Sequence, residues 1–211
     1  MGSANADGAV MHALRVCGFA DTARLVDHSS LTTDQIDAAL HECEREGFVR
    51  FRDGRVRGWL LTDAGKQRHA EQVAGDLIDG ESKRLVESGY QDFLELNRDL
   101  KEVCTAWQLR TQPDGTATVN DHVDKHYDDE VIGRLATHHH RCDSMFDRLG
   151  LGLTRLDTYR HRLGDALERL SAGDVAAFAK PMSASYHCVW MELHQDLLIT
   201  LARDRDEADG H

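Results

Sequence analysis

Proline is scarce in this chain of 211 residues, where Pro113 and Pro181 are the only two. With so few helix breakers, long helices punctuated by the 17 glycines are expected. No apolar run approaches the roughly 18–20 residues that span a bilayer. The opening Met1-Gly2-Ser3-Ala4-Asn5-Ala6-Asp7 lacks the basic end and apolar stretch of a secretory leader, so a cytoplasmic protein away from membranes is expected. The five cysteines (Cys17, Cys43, Cys104, Cys142, Cys188) are odd in number, widely spaced and without a CxxC. That argues against a disulfide framework or zinc knuckle and reads as buried, reduced thiols. Positive charge is short, with 25 Lys and Arg against 37 Asp and Glu and a net charge of -12. Bulk charge therefore cannot drive nucleic-acid binding, and any such contact needs a local basic patch. Catalytic signatures are missing too: there is no GxSxG, P-loop or GxGxxG. The run Asp128-Asp129-Glu130 reads as a solvated helix face or N-terminal turn. Neither catalysis nor a cofactor is expected.

What is present divides at about residue 79. In residues 8–79, Val10, Met11, Leu14 and Cys17 recur at helical spacing before Gly18, and a short helix follows over about Asp21–His28. Thr32 or Thr33 then caps a helix that places Ile36, Leu40 and Cys43 on one face. Phe48–Phe51 and Val56–Leu61 read as strands around the turn pair Asp53-Gly54, and Thr62 caps another helix. The run Leu31–Leu40, then Glu46-Gly47-Phe48-Val49, then Gly58–Gly65 resembles the winged helix-turn-helix of bacterial MarR-like and PadR-like regulators. The resemblance covers about the first third of the chain. It implies a DNA-binding transcriptional regulator that acts as a homodimer on double-stranded DNA. In such a reader, exposed side chains near the start of the second helix of the motif meet base edges. Here these are Thr32, Thr33, Gln35 and His41, while Arg50, Arg52, Arg55 and Arg57 of the hairpin suit phosphate contacts. Asp34 and Asp37 oppose that role. Residues 1–75 carry nine Lys and Arg against eleven Asp and Glu, so the acidic excess lies mostly in the remainder.

Residues 80–211 show no strand pattern, and helix-period runs fall at about 81–109, 121–149, 154–171 and 184–205. The fold expected is mainly α: an N-terminal winged helix-turn-helix with a short β-hairpin wing, then a C-terminal antiparallel helical bundle. The charged tail Arg203–His211 is expected to fray. Val86, Tyr90, Phe93, Asn97, Leu100, Cys104 and Trp107 form a heptad seam with one polar member, Asn97. Val131, Leu135, His138, Cys142, Met145 and Leu149 form a second seam, which turns His138 inward.

On the last helix His187, Met191 and His194 run beside the stripe of Tyr186, Trp190, Leu193 and Leu197. Asn97, Trp107, Arg110, His122, His138, His187, Trp190 and His194 are therefore candidates to line one ligand cavity between the helices. The chain has 13 histidines, but HExxH and matched Glu-x-x-His pairs are missing, so no metal site is expected. Asn120–Asp124 and Ser185–His194 also resemble a helical extension attached to some bacterial phosphoenolpyruvate-utilising enzymes. That resemblance implies a detached regulatory module. The alternative to a DNA-binding regulator with a small-molecule effector is thus a winged-helix interaction or accessory module that never meets DNA.

Overall fold

The computed structural model describes residues 3–77, 79–111 and 115–204. The tail from Arg205 onward and the residues Gln112, Pro113 and Asp114 lie outside the described residues. The chain is mainly helical with a short antiparallel hairpin in its first third, as its sequence predicts. It divides into two compact units, one made of residues up to Asp79 with Leu198–Asp204 and the other of Gly80–Leu197.

In the first unit, α1 (Ser3–Cys17) ends at Gly18, whose φ of 72° only glycine adopts freely. Asp21 caps α2 (Thr22–Asp27) by accepting from the Arg24 N–H at 2.9 Å. A reciprocal capping box opens α3 (Thr33–Arg45): Thr32 Oγ1 accepts from Gln35 N, and Gln35 Oε1 accepts from Thr32 N. Ile36, Ala39, Leu40 and Cys43 then share one core with Val10, Met11 and Leu14 of α1. Strand β1 (Val49–Arg52) pairs antiparallel with β2 (Gly58–Leu61), Val49 opposite Leu61.

The sequence suggests a tight turn at Asp53-Gly54, but the strands are joined by the five residues 53–57. An ion pair from Arg57 Nε to Asp53 Oδ1 at 2.9 Å spans this longer loop. Helix α4 (Asp63–Asp76) follows, capped by Thr62. The Thr62 hydroxyl also donates to the Gly47 carbonyl at 2.6 Å, drawing the helix start onto the chain that enters β1.

The second unit is built on α5 (Gly80–Gln108), which packs against α6 (Lys125–Arg141) and α7 (Asp143–Gly152). A short 3-10 turn, α8 (Thr158–Ser171), the one-turn α9 (Ala176–Ala179) and α10 (Tyr186–Thr200) as far as Leu197 complete it. Helices α5 and α7 approach closely at glycines. A Cβ at Gly89 would lie 2.5 Å from Leu149 Cδ2, and one at Gly152 would lie 2.8 Å from Val86 Cγ2.

Three expectations are corrected in this unit. The single helix expected over 121–149 is two, because the backbone turns at Cys142, whose N–H reaches the His139 carbonyl in place of the helical partner. The turn lets α6 pack against α8 while α7 follows α5. Strands β3 (Leu109–Thr111) and β4 (Ala117–Val119) form an antiparallel hairpin in a stretch whose sequence shows no strand pattern. Five of its six residues are exposed, so no in-out alternation marks it in the sequence. Asn120, Asp121 and His122 precede α6 instead of opening it, since Asp124 is the cap that accepts from His126 N and Tyr127 N.

Gly65 offers a test of the α4 packing. A Cβ there would fall 2.0 Å from the Phe48 carbonyl oxygen, a backbone atom with no rotamer to give. Gly65→Ala is expected to lower stability by at least about 1–3 kcal/mol, the usual cost of overpacking. Urea unfolding checks this, and an unchanged midpoint would show that α4 can move away freely.

Candidate functional site

The four hairpin arginines are all exposed. Arg57 is held by Asp53, and its guanidinium lies 5.8 Å from the centre of the Phe51 ring. Arg52 and Arg55 form no ion pair among the described residues. Phe51, 39% exposed, stands between these charges and leans edge-on against Trp59 at 5.1 Å. The hairpin thus presents cations and an aromatic face together.

Helix α3 is less favourable to a polyanion. Thr33 is exposed at its first turn, but Thr32 and Gln35 occupy each other in the capping box. The Gln35 side chain, though exposed, accepts the Thr32 N–H at the helix start. His41 is exposed and donates through Nδ1 to the Asp37 carbonyl at 2.7 Å. Asp34, Asp37, Glu42 and Glu44 stand on this helix against Arg45, which Glu42 and Glu46 already hold.

The eight candidate ligand residues do not line one cavity. Asn97 and Trp107 are ten residues apart on α5, about 15 Å along its axis at 1.5 Å per residue. Around Asn97 the bundle is an interlocked aromatic core. Trp190 Nε1 donates to Asn97 Oδ1 at 2.9 Å, and Phe93 stacks on Trp190 at 4.7 Å and faces His194 at 4.8 Å. His138 sits edge-on to Trp190 at 5.2 Å, with Nε2 3.6 Å from the Cys142 sulfur. The Asn97 amide is thus met by a neighbouring side chain, whereas His138 Nδ1 is buried without a hydrogen-bond partner among the described residues. His187 is half-buried at the start of α10, away from that core. Its hydrogen bond to Cys188 is the main cause that lowers the Cys188 thiol to about 7.

At the far end of α5 a second polar group is built differently. Asn120 is buried, and its Nδ2 donates to the Trp107 carbonyl at 3.1 Å and to Asp128 Oδ1 at 2.8 Å. His122 Nδ1 lies 3.1 and 3.2 Å from the two Asp128 oxygens. A carboxylate only accepts, so the ring donates through Nδ1, and Nε2 is left to a ligand or solvent. The His122 ring packs on Trp107 at 4.4 Å, and the other face of Trp107 stacks on Phe178 of α9 at 4.5 Å. His122 has a φ of 59°, a left-handed conformation that side chains other than glycine rarely adopt. Trp107 and His122 line a cleft of about 330 Å³ with Val119, Val175, Ala176 and Lys180. Arg110 lies close by in sequence but is engaged, pairing with Asp124 at 2.7 Å above the Tyr127 ring.

Asn120 and Asp128 escape the sequence reading, and the solvated role expected for Asp128 is corrected, since it is 7% exposed. A signal was there: Asp128 falls three residues before Val131 and seven before Leu135, so the buried seam of α6 extends to it. No protein-family profile, curated protein or solved structure matches the chain.

His138 supplies a pH test of the interlocked core. Burial lowers its pKa from 6.5 to about 4. The unfolded chain gains a proton as pH falls below 6.5, while folded His138 stays neutral until about 4. This contribution to stability is therefore full above pH 6.5 and is lost as pH falls towards 4. The loss amounts to about 3 kcal/mol. His138→Gln is expected to flatten this part of the stability profile, read by urea unfolding at pH 7 and pH 4.5. Equal acid sensitivity in both proteins would place the titration elsewhere.

Proposed function

We propose that the chain is a DNA-binding transcriptional regulator of the cytoplasm. Its first unit contacts double-stranded DNA as a winged helix, and its second unit senses a small ligand. The observation that carries the reading is the hairpin, where Arg52 and Arg55 stand exposed without carboxylate partners among the described residues, beside Phe51. Guanidinium groups on and beside a two-stranded ribbon suit charge-assisted hydrogen bonds to phosphate oxygens. The order α1, α2, α3, hairpin, α4 agrees with this reading. Two-fold operator sites make a homodimer the working form. Among the described residues, no helix is long and apolar enough to cross a membrane.

The acidic surface of α3 favours a second reading, a winged helix that docks a basic protein surface and leaves DNA alone. Salt dependence separates the two. Duplex binding by the native chain is expected to fall at least about tenfold between 50 and 200 mM salt. Arg52→Ala with Arg55→Ala is expected to weaken binding to all sequences alike and to flatten the slope by about 0.9 for each phosphate no longer neutralised. Folding should hardly change, within about 0.5 kcal/mol for such exposed positions. Gel shifts across the salt range provide the measurement. Absence of duplex binding at low salt, or an unaltered slope in the variant, would overturn the reading.

A further inference from the structure

We propose that the cleft beside His122 binds an organic monocarboxylate with a short apolar body, its carboxylate held between His122 Nε2 and the Lys180 ammonium. The proposal rests on the ligand-sensing half of the function above and is independent of the DNA surface.

The first support is the way His122 is held. Asp128 occupies Nδ1, and the ring lines the cleft while Nε2 makes no hydrogen bond to any described residue. Buried Asn120 fixes Asp128 and is itself anchored to the Trp107 carbonyl, so the carboxylate behind the imidazole cannot swing away. The left-handed backbone at His122 is a costly conformation, retained here by the surrounding bonds. A carboxylate–imidazole pair with its outer nitrogen unengaged, on a residue that lines a cleft, is held in a fixed orientation for a partner. In its doubly protonated form the ring donates through Nε2–H, and a carboxylate oxygen is the matching acceptor.

The second support is the chemistry of the remaining walls. Lys180 borders the cleft, is exposed, and forms no ion pair among the described residues. Val119 is 79% exposed and Val175 45% exposed, so both side chains are accessible beside the cleft. With Ala176 they form an apolar flank suited to a hydrocarbon chain. Size and charge narrow the class further. A volume of about 330 Å³ lies at the small end for ligand sites. The Lys180 ammonium, beside an imidazolium whose charge Asp128 already offsets, balances a single negative charge. A phosphate dianion would call on Arg110 as well, and that guanidinium is already paired with Asp124.

Isothermal titration of the full chain with octanoate, and separately with 1-octanol, tests the assignment without any DNA present. Octanoate is expected to bind saturably and at least tenfold more tightly than 1-octanol, which has the same chain and no charge. Lys180→Met keeps the stem and removes the charge. His122→Asn tolerates the left-handed backbone and removes the imidazole. Each is expected to weaken octanoate at least tenfold and to erase most of its preference over 1-octanol. Should His122→Asn fail to fold, Lys180→Met, at an exposed position, still decides the matter. Equal binding of acid and alcohol, full affinity in Lys180→Met, or no saturable binding at millimolar octanoate would each overturn the proposal. Failure here leaves duplex binding as measured, and loss of duplex binding leaves octanoate binding as measured.

Discussion

Inside the second unit, the Asn97 amide sits on an otherwise apolar seam of α5, where an unpaired polar group would cost about 1–3 kcal/mol. The Trp190 indole removes that cost by donating to Asn97 Oδ1 at 2.9 Å. This bond is directional, whereas the surrounding apolar contacts are not, so it sets which turn of α10 meets which turn of α5. Once Trp190 is placed, Phe93 stacks on it, His138 meets its edge, and His194 falls against Phe93. Burial of the imidazole of His138 follows, and with it the lowered pKa.

The same unit holds a second buried amide, with the opposite outcome. Asn120 also satisfies its surroundings, but the chain of bonds continues from Asp128 to His122 and then stops at an open nitrogen. Around Asn97 the side chains close on one another, and around Asn120 they leave a cleft. The difference comes from the neighbours. The first network lies mid-helix between long helices, among the buried side chains of Phe93, Trp190 and His138. The second lies where α5 gives way to a short hairpin and the one-turn α9, which cannot cover it.

Charge in the first unit is divided between two adjoining elements. Helix α3 bears four carboxylates and a single arginine, while the hairpin bears four arginines and Asp53. A polyanion is attracted by the hairpin and repelled by much of the helix. The hairpin therefore dominates the electrostatics of any nucleic-acid contact. The capping box at Thr32 secures the helix start by engaging the exposed Gln35 amide with the Thr32 N–H.

Helix periods, caps and the apolar faces of both units are legible in the residues alone, because burial repeats every 3.6 residues and Thr, Asp and Gly mark helix ends by local chemistry. Ile36, Leu40 and Cys43, and the seam from Val86 to Trp107, were readable in this way, as was the inward face of His138. The turn at Cys142 and the β3–β4 hairpin were not. The first has neither proline nor glycine to announce it, and the second is too exposed to alternate. The sequence by itself determined the mainly helical class, the helical faces and the arginine-rich hairpin, since each follows from spacing along one segment. Only the tertiary structure decided that Asn97 is closed by Trp190 while His122 opens onto a cleft. Those partners are 93 and 6 residues apart, and which polar atoms meet depends on how helices pack.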